Sequence, residues 1–239
     1  MDFSIDLKLS KLAKKLLLLQ RNNLLSPVQI FLRKKFGRFL FTNFFVHFFQ
    51  KKSLNILAEN IFKSDFDTFK KYLPRNPKNI LDIGCGLGMI NIFIKKFYKH
   101  EINFFLVDKN KIDLKIKYGF SDLYESYNLL SETKNILQNN GIDQKHIFLK
   151  DADRDISIGN RIDFVISLKS MGYHYPFENY LNKFKQNFDK NTIFCFDLSL
   201  NKYTDLNYLR KFFENVTIIY SEESIHPLKR IICTGLKEY

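Results

Sequence analysis

Cysteine, glycine and proline are all scarce in this chain, and each shortage excludes a class of protein. Three cysteines occur among 239 residues, an odd number placed in or beside apolar runs, which excludes a disulfide-stapled secreted fold. Nine glycines and five prolines are too few for a low-complexity chain. A hydrophobic fraction of 45% is too high for a disordered protein. We therefore expect a folded protein from a reducing, cytoplasmic compartment.

Long apolar runs are missing as well. No stretch reaches the roughly 18 uninterrupted apolar residues of a membrane-spanning helix. The start of the chain, MDFSIDLKLSKLAKKLLLLQ, carries acids before its apolar run and has no small-residue cleavage site, unlike a secretory signal. We expect neither a transmembrane helix nor a signal peptide.

Positive charge is concentrated in the first third of the chain. Residues 1–78 contain 16 Lys and Arg against 5 Asp and Glu, so they carry +11 of the net charge of +13. Such an excess suits nucleic acid or anionic membranes, although lysine runs are commonly just solvated. Within this region, the run from Phe31 to Phe49 mixes aromatic and basic residues. Core packing or a lid over a cleft is the favoured interpretation, and a membrane surface is the alternative.

The N-terminal region has the spacing of helices. Apolar residues recur there at three- and four-residue steps, as at Leu12, Leu16 and Leu19, which is helical periodicity. Ser26 directly before Pro27 predicts a helix start, with the serine as N-cap and the proline at the first helical position.

After Pro74 and Pro77 the pattern changes to short β-rich runs that alternate with helical segments. This alternation predicts a parallel sheet with helices on both faces. The last two runs are joined by only SEESIHPLK, too short for a crossover helix, so they should pair as an antiparallel hairpin. We predict an α/β fold, with a seven-stranded, mostly parallel, doubly wound sheet over residues 76–239. A helical lid or accessory segment over residues 1–75 precedes it. The predicted strands are Asn79–Ile83, Asn103–Val107, His146–Leu149, Asp163–Leu168, Thr192–Leu198, Val216–Ser221 and Arg230–Gly235.

The most specific motif is DIGCGLG, from Asp82 to Gly88, between the first strand and a helical run. Glycines let the backbone turn tightly and approach a ligand, and the following helix offers free N–H groups and its positive dipole end. A dinucleotide fingerprint fails because Met89 occupies the place of its third glycine, and a P-loop fails because no Lys-Ser or Lys-Thr follows.

The motif resembles D-x-G-x-G-x-G, the first motif of the class I S-adenosylmethionine-dependent methyltransferases, and the resemblance extends from about Asn79 to the C-terminus. It implies S-adenosylmethionine as the cofactor. Gly84, Gly86 and Gly88 would accommodate its methionine part, with Asp82 orienting the loop or the amino group.

Acidic residues at strand ends match further positions of that family. Asp108 ends the second strand, where a carboxylate can accept both ribose hydroxyls. Asp151 follows the third strand and matches the residue that meets the adenine, with Asp153 as the other candidate. The predicted cofactor-contacting set is completed by Cys85, Lys109 and Ser167.

The segment after the fourth strand, SLKSMGYHYP, should face the cleft, because parallel sheets bind ligands at the carboxyl ends of their strands. Methyl transfer depends mainly on a close, aligned acceptor, but a hydroxyl acceptor must also lose a proton. Histidine is suited to that at neutral pH. We predict His174 as the general base, with Tyr173 as the second catalytic residue. A structural histidine packed between Tyr173 and Tyr175 is the alternative.

Two further features bear on the site. No cluster of His, Cys and carboxylate has metal-ligand spacing, and Ser167 stands where a magnesium-dependent methyltransferase would have an acid, so no metal is predicted. The link between strands two and three is long, and its polar and aromatic residues either line an acceptor pocket or pack as a helix. They are Tyr118, Phe120, Tyr124, Tyr127 and Asn128.

Three functions compete. The favoured one is O-methylation of a small-molecule, sugar or lipid-linked hydroxyl. The second is methylation of RNA or another nucleic acid, which the basic N-terminal segment favours, although SLKS replaces the [DN]-P-P-[FY] motif of amino-group methylation on bases. The third is a non-catalytic methyltransferase fold that uses the aromatic, basic run for a partner or for peripheral membrane contact. The complete glycine motif and Asp108 disfavour it.

Overall fold

A computed structural model describes residues 5–48, 51–112, 127–154, 156–203, 205–223 and 227–238. Seven strands in these ranges form one sheet. They are β1 (Asn79–Ile83), β2 (Asn103–Asp108), β3 (Ile147–Asp151), β4 (Phe164–Ser167), β5 (Ile193–Ser199), β6 (Phe213–Glu222) and β7 (Leu228–Leu236).

The strand order is β3-β2-β1-β4-β5-β7-β6. The first five strands of the chain are parallel neighbours, whereas β7 lies antiparallel between β5 and β6. The predicted α/β class, the mostly parallel sheet and the closing hairpin are therefore confirmed. The hairpin strands are longer than predicted because pairing continues beyond the apolar runs, past a register shift between Ile218 and Tyr220.

Helices cover both faces of the sheet, which is why its central strands are continuously apolar. Every residue of β4 is buried. One face packs against α4 and α5, and the other against α7. The helices are α1 (Lys11–Gln20), α2 (Pro27–Phe36), α3 (Arg38–Phe48), α4 (Lys51–Phe69), α5 (Met89–Phe97), α6 (Leu130–Asn139) and α7 (Phe177–Lys183).

The helix α2 begins where its capping residues predict. Ser26 accepts a hydrogen bond from the Gln29 N–H, and the Gln29 side chain accepts one from the Ser26 N–H, so a capping box closes the first turn of α2 with Pro27 at its start. The predicted cap is confirmed. None of the described helices has both the length and the apolar content to cross a membrane.

The helix α4 fixes the N-terminal segment to the sheet. Phe66 and Phe69 are buried in the same hydrophobic cluster as β1 and β4. The Phe69 ring stacks on Phe164 of β4 at 6.2 Å between centroids, and Phe66 packs against Phe93 of α5 at 6.0 Å. Burying two aromatic side chains supplies several kcal/mol of hydrophobic stabilisation, at about 1.5–3 kcal/mol for each.

Candidate functional site

The glycine loop, Gly84 to Gly88, connects β1 to α5 at the carboxyl edge of the sheet. Gly84 has a φ of 72°, and a Cβ there would lie 2.2 Å from the Cβ of Ser170. Gly88 has a φ of 69° at the N-terminus of α5, and its Cβ would lie 3.1 Å from Leu137. Left-handed backbone and close protein contact both demand glycine at these two positions. The loop is therefore held between α6 and the segment that leaves β4.

Backbone hydrogen bonds tie the glycine loop to β2. The carbonyl of Val107 accepts the N–H groups of Gly84 at 2.8 Å and Cys85 at 3.2 Å. One step further, the Asp108 Oδ2 accepts the Gly86 N–H at 2.6 Å, and Oδ1 accepts the Lys109 N–H at 2.7 Å. The two predicted elements, glycine motif and second acid, therefore lie side by side and share a direct bond.

The position of Asp108 beside the glycine loop raises the pKa of its carboxyl group. Desolvation by burial raises the pKa of Asp108 to about 6, against hydrogen bonds from Gly86, Lys109 and Asn128 that lower it. At neutral pH the carboxylate is mainly ionised, because its pKa lies below the ambient pH. A charged acceptor of this kind makes short, strong hydrogen bonds to hydroxyl donors.

Asp82 is buried at the end of β1, beneath the glycine loop. Its Oδ2 accepts a hydrogen bond of 2.6 Å from the Asn91 side chain of α5. Burial is the largest influence and raises the pKa of Asp82 to about 7, with a further rise from the charge of Asp108. Asp82 is 3% exposed, and its bond to Asn91 connects the end of β1 to the first turn of α5.

The end of β3 brings a third acid to the same edge. Asp151 is the register partner of Asp108, and the N–H of Ala152 donates to the carbonyl of Asp108 at 2.8 Å. The Asp151 Oδ1 accepts the Asp153 N–H at 3.1 Å, and Arg154 pairs with its Oδ2 at 3.6 Å. Of the two candidates for the adenine contact, Asp151 is partly buried and Asp153 is exposed, so Asp151 stays the preferred candidate.

Cys85 and Lys109 occupy different environments within this set. Burial, followed by the charges of Asp108 and Asp82, raises the pKa of the Cys85 thiol well above its usual range. The thiol is therefore neutral and is not a nucleophile. The Lys109 ammonium lies 5.5 Å from the ring centroid of Tyr175, which brings the residue after Asp108 against the segment that leaves β4.

Residues that the sequence motif does not mark complete the support of the loop. The carbonyl of Gly86 accepts the Asn128 amide and the Thr133 hydroxyl, each at 2.8 Å. Asn91 supports Asp82, and its signal in the sequence is a single amide in the apolar helix MINIFIKKF. Thr133 has no comparable signal, because a threonine in a helix is common.

The N-terminal helices reach the glycine loop directly. The Gln20 side chain, at the end of α1, donates to the carbonyl of Tyr127 at 2.8 Å, and a Cβ on Gly86 would lie 3.0 Å from its Oε1. Arg38 of α3 donates to the Tyr127 hydroxyl at 3.1 Å and lies over its ring. Tyr127 and Asn128, from the link between β2 and β3, therefore lie beside the glycine loop, and their part in an acceptor pocket stays a prediction. Tyr118, Phe120 and Tyr124 lie outside the described residues.

Ser167 does not face the cleft, which corrects the expectation for this residue. It is fully buried. Its hydroxyl donates to the carbonyl of Ile83 at 2.7 Å and accepts the Met171 N–H at 2.8 Å. The Ser167 hydroxyl therefore connects the backbone of β1 to the segment that follows β4. Because both of its hydrogen bonds go to backbone groups and the residue is fully buried, it has no surface with which to contact a cofactor.

The exit loop, residues 168–176 after β4, is wound around one carbonyl. The Ser170 carbonyl accepts the N–H groups of Tyr173 at 3.1 Å, His174 at 2.8 Å and Tyr175 at 3.1 Å. The rings of Tyr173 and His174 meet edge to face at 4.8 Å between centroids. Tyr173 is buried and His174 is partly exposed. Because Ser170 contacts Gly84, this turn lies beside the glycine loop.

The pKa of Tyr173 is raised, so its hydroxyl is protonated at neutral pH. Burial is the first cause that raises the pKa of Tyr173, followed by the charges of Glu222 and Asp197. A phenol with a raised pKa stays protonated at neutral pH. At neutral pH the Tyr173 hydroxyl can therefore donate a hydrogen bond, and the catalytic roles of Tyr173 and His174 stay predictions.

A buried ion pair lies behind the exit loop, and the motif does not reveal it. Arg230 of β7 donates from Nε to Asp197 Oδ1 at 2.7 Å and from Nη2 to Oδ2 at 3.2 Å. Asp197 Oδ2 also accepts the N–H of Lys169 at 3.1 Å, a residue with a φ of 60°. Asp197 therefore holds the first turn of the exit loop. A lone arginine within the apolar run RIICTG was the signal for this pair.

The donor set fits a cofactor with an amino-acid part and a ribose. The Asp108 carboxylate has about four lone-pair positions, so it retains acceptor capacity beyond the bonds from Gly86 and Lys109. Gly88 has no side chain with which to cap α5, so the N–H groups and positive end of that helix face the loop. These features suit a ribose hydroxyl and a carboxylate, respectively.

Solved structures identify the fold. The chain resembles precorrin-6y C5,15-methyltransferase of Geobacter metallireducens, with 12% identity, a TM-score of 0.50, and coverage of 74% of this chain and 89% of that one. It also resembles the ribosomal protein L11 methylase of Lactobacillus delbrueckii subsp. bulgaricus, at 14% identity, a TM-score of 0.45, and coverage of 71% and 76%. A third similar structure is a dimethyladenosine transferase of Plasmodium falciparum, with 14% identity, a TM-score of 0.48, and coverage of 74% of this chain and 61% of that one.

No protein-family model matches the sequence, and no curated protein matches it either. The fold is that of the class I S-adenosylmethionine-dependent methyltransferases. At these identities the likeness concerns the fold, and the chemistry of this chain has to be argued from its own residues.

Proposed function

We propose that this protein is an S-adenosylmethionine-dependent methyltransferase that methylates a hydroxyl group of a small molecule, such as a sugar or a lipid-linked alcohol. The observation that carries the proposal is the bond between the Asp108 carboxylate and the Gly86 N–H. It joins the glycine loop after β1 to the acid that ends β2, at the edge where parallel sheets bind ligands.

The residues around the glycine loop have distinct tasks in this proposal. The glycine loop, with Asp82 beneath it, lies against the methionine part of the cofactor. Asp108 accepts the ribose hydroxyls, and Asp151 lies toward the adenine. When bound, the cofactor supplies a methyl group on a positively charged sulfur. The protein's contribution is to hold the acceptor close to that methyl group and in line with it.

The exit loop supplies the proton acceptor. His174 would take the proton of the acceptor hydroxyl as the hydroxyl oxygen bonds to the methyl carbon and the bond from that carbon to the cofactor sulfur breaks, leaving a neutral thioether. General-base catalysis contributes about 10²–10⁴-fold in rate. Tyr173, beside it and protonated, donates a hydrogen bond to an acceptor oxygen. Asp197 and Arg230 act through the backbone of the exit loop and are positioning residues.

The acceptor class follows from what the exit loop presents. SLKS at the end of β4 brings no Asn-Pro or Asp-Pro pair to hold an exocyclic amine of a base, whereas a histidine and a tyrosine suit a hydroxyl. RNA remains the second candidate because of the positive charge of residues 1–78. Competing an oligonucleotide against a panel of sugar and alcohol acceptors in a methyl-transfer assay separates the two.

Calorimetric titration of the purified protein tests the cofactor assignment. We expect binding of S-adenosylmethionine and none of NADH. Asp108→Ala should weaken S-adenosylmethionine binding at least about tenfold, because hydrogen bonds to a charged group contribute roughly 1.5–3 kcal/mol. Asp67→Ala, on the exposed surface of α4, is the matched control. Binding that is equally tight in the Asp108 variant would contradict the proposed ribose contact.

Steady-state kinetics with an identified acceptor test the base. His174→Ala should lower kcat by about 10²–10⁴-fold and leave the affinity for S-adenosylmethionine unchanged. His146→Ala is the control, because His146 lies at the opposite end of the sheet and bonds to Asn103. Turnover that survives in the His174 variant would remove the histidine from the mechanism.

A further inference from the structure

We infer that α2 and α3 dock this protein on the surface of a membrane that contains anionic lipids. The inference concerns where the protein works and stands independently of the proposed methyl transfer. The docking face is defined by five exposed apolar side chains, which are Val28, Phe31, Phe36, Leu40 and Phe44.

The helix α2 exposes part of its apolar surface and buries one of its charges. Arg33 is 8% exposed and donates to the carbonyl of Leu18 at 3.1 Å. Ile30 and Leu32 pack against the core, whereas Val28 is 67% exposed and Phe31 is 63% exposed. A soluble helix buries its apolar residues. The exposure of Val28 and Phe31 therefore indicates that the outer face of α2 meets an apolar medium.

The next helix, α3, has two apolar faces, and only one of them serves the core. Phe41 and Phe45 are buried and stack on each other at 5.4 Å. Leu40 and Phe44, also four residues apart and therefore on one face, are 66% and 57% exposed. The expectation that this run packs on the core thus holds for one face of α3, while the other face points outward.

The exposed apolar residues lie on two neighbouring helices. The helices α2 and α3 are consecutive, are joined at Gly37 with a φ of 86°, and pack against each other. Large apolar residues exposed together on neighbouring helices are uncommon on a monomeric soluble protein and mark an interaction site.

The charge around the docking face fixes the kind of partner. From Leu7 to Ala58 the sequence contains 11 Lys and Arg and no Asp or Glu. Lys34 and Lys35 are exposed in the last turn of α2, next to Phe36. Basic residues near a membrane surface are attracted by anionic headgroups. Exposed apolar residues beside two exposed lysines, in a stretch of sequence without acids, are the composition of a helix that lies in the lipid interface.

A lipid surface explains this face better than RNA does. RNA recognition uses phosphate contacts and stacks bases on aromatic rings or guanidinium planes, and it gives no place to Val28 or Leu40. The headgroup and acyl boundary accepts aliphatic and aromatic side chains alike, over a depth of roughly 5–10 Å. At 10 and 11 residues, α2 and α3 suit helices that lie along the surface.

Vesicle co-sedimentation of the full chain without cofactor tests the inference. The probes are vesicles of phosphatidylcholine alone and of phosphatidylcholine with phosphatidylglycerol in equal parts. We expect binding to the anionic vesicles only. Lys34→Gln with Lys35→Gln should weaken it about thirtyfold, or about fivefold for each lysine. Phe31→Asn with Leu40→Asn should weaken it more than about thirtyfold, because each buried apolar side chain contributes more than one lysine.

Matched controls separate the docking face from surface charge and hydrophobicity in general. Lys183→Gln with Lys190→Gln removes two exposed lysines elsewhere, and Ile218→Asn removes an exposed apolar residue on β6. These should bind as the wild type does. All variants change exposed residues, and circular dichroism checks that they fold.

Three outcomes would overturn the inference. They are no wild-type binding to anionic vesicles, equal binding by the docking-face variants, and binding to an RNA hairpin that excludes vesicles. Because cofactor titration is a separate measurement, failure here leaves the methyltransferase proposal intact, and loss of cofactor binding leaves this inference intact.

Discussion

Replacing Arg230 by methionine should destabilise the fold by about 3–5 kcal/mol, because it leaves a buried carboxylate without its counter-charge. Arg230 is 1% exposed and Asp197 is fully buried. Besides its two bonds to Asp197, the guanidinium donates to Asp65 Oδ1 at 3.0 Å, to the Asp65 carbonyl at 3.2 Å and to Thr68 at 2.9 Å. Five bonds that join β7, β5 and α4 are lost together. Asp197 keeps the Lys169 N–H.

The electrostatics favour the charged form of this arginine. Burial alone would lower the pKa of Arg230, but Asp197 and Asp65 raise it above its ordinary value. The chain has no tryptophan, so far-ultraviolet circular dichroism in urea is the suitable signal. Linear extrapolation then gives the free energy of unfolding of each variant.

A double-mutant cycle isolates the pair. Asp197→Leu alone should also be costly, whereas Arg230→Met with Asp197→Leu should cost less than the two single changes summed, by about 2 kcal/mol or more. Arg161→Met is the control, because Arg161 pairs with Asp189 at the exposed surface and should cost less than about 1 kcal/mol. An additive cycle, or equal losses for Arg230→Met and Arg161→Met, would refute the reasoning.

Two further predictions concern the site itself. The pKa of Asp82 is about 7 in the folded protein against an ordinary 3.8, so the folded state holds an extra proton between these values and its stability should fall as the pH rises through that window. Asp82→Asn should remove this loss of stability, which is on the order of a few kcal/mol. The test is the urea midpoint of the wild type and of the variant, measured across this pH range. The same pH dependence in both proteins would disprove the prediction. Gly84→Ala should cost at least about 2 kcal/mol, from its left-handed backbone and its contact with Ser170. Gly141→Ala, with a φ of 91° and nothing within 4 Å of the added Cβ, should cost only about 1 kcal/mol, and equal losses would argue against the contact.

Much of the sheet could be predicted from local patterns. Short apolar runs separated by helical segments determine a parallel sheet. The eight residues between the last two predicted strands are too few for a crossover helix, so β6 and β7 had to pair as a hairpin. The polar residues at strand ends followed as well. Asp108 and Asp151 end neighbouring parallel strands, and they are register partners. The strands and the acidic residues at their ends are both features of short segments, which is why they could be predicted from the sequence.

The supports of the site were beyond that reasoning, because they depend on contacts between distant segments. Ser167 reads as a cleft residue from its place at the end of β4, yet its hydroxyl bonds to Ile83, 84 residues away. Arg230 meets Asp65 across 165 residues. Gln20 lies over Gly86, which no spacing rule predicts. Each of these requires that the strands and helices already be assembled.

By itself, the sequence determined that this chain is an α/β protein with a glycine-rich ligand loop and a basic, helical N-terminal segment, because periodicity, turn residues and charge are local properties. The tertiary structure alone decided which side of each helix is inside. Helical spacing in α2 predicts a helix but cannot tell that Arg33 is buried and Phe31 exposed. That choice follows from contacts between segments: the carbonyl of Leu18 in α1 accepts a hydrogen bond from Arg33, and Ile30 and Leu32 pack against the core, while Phe31 stays exposed.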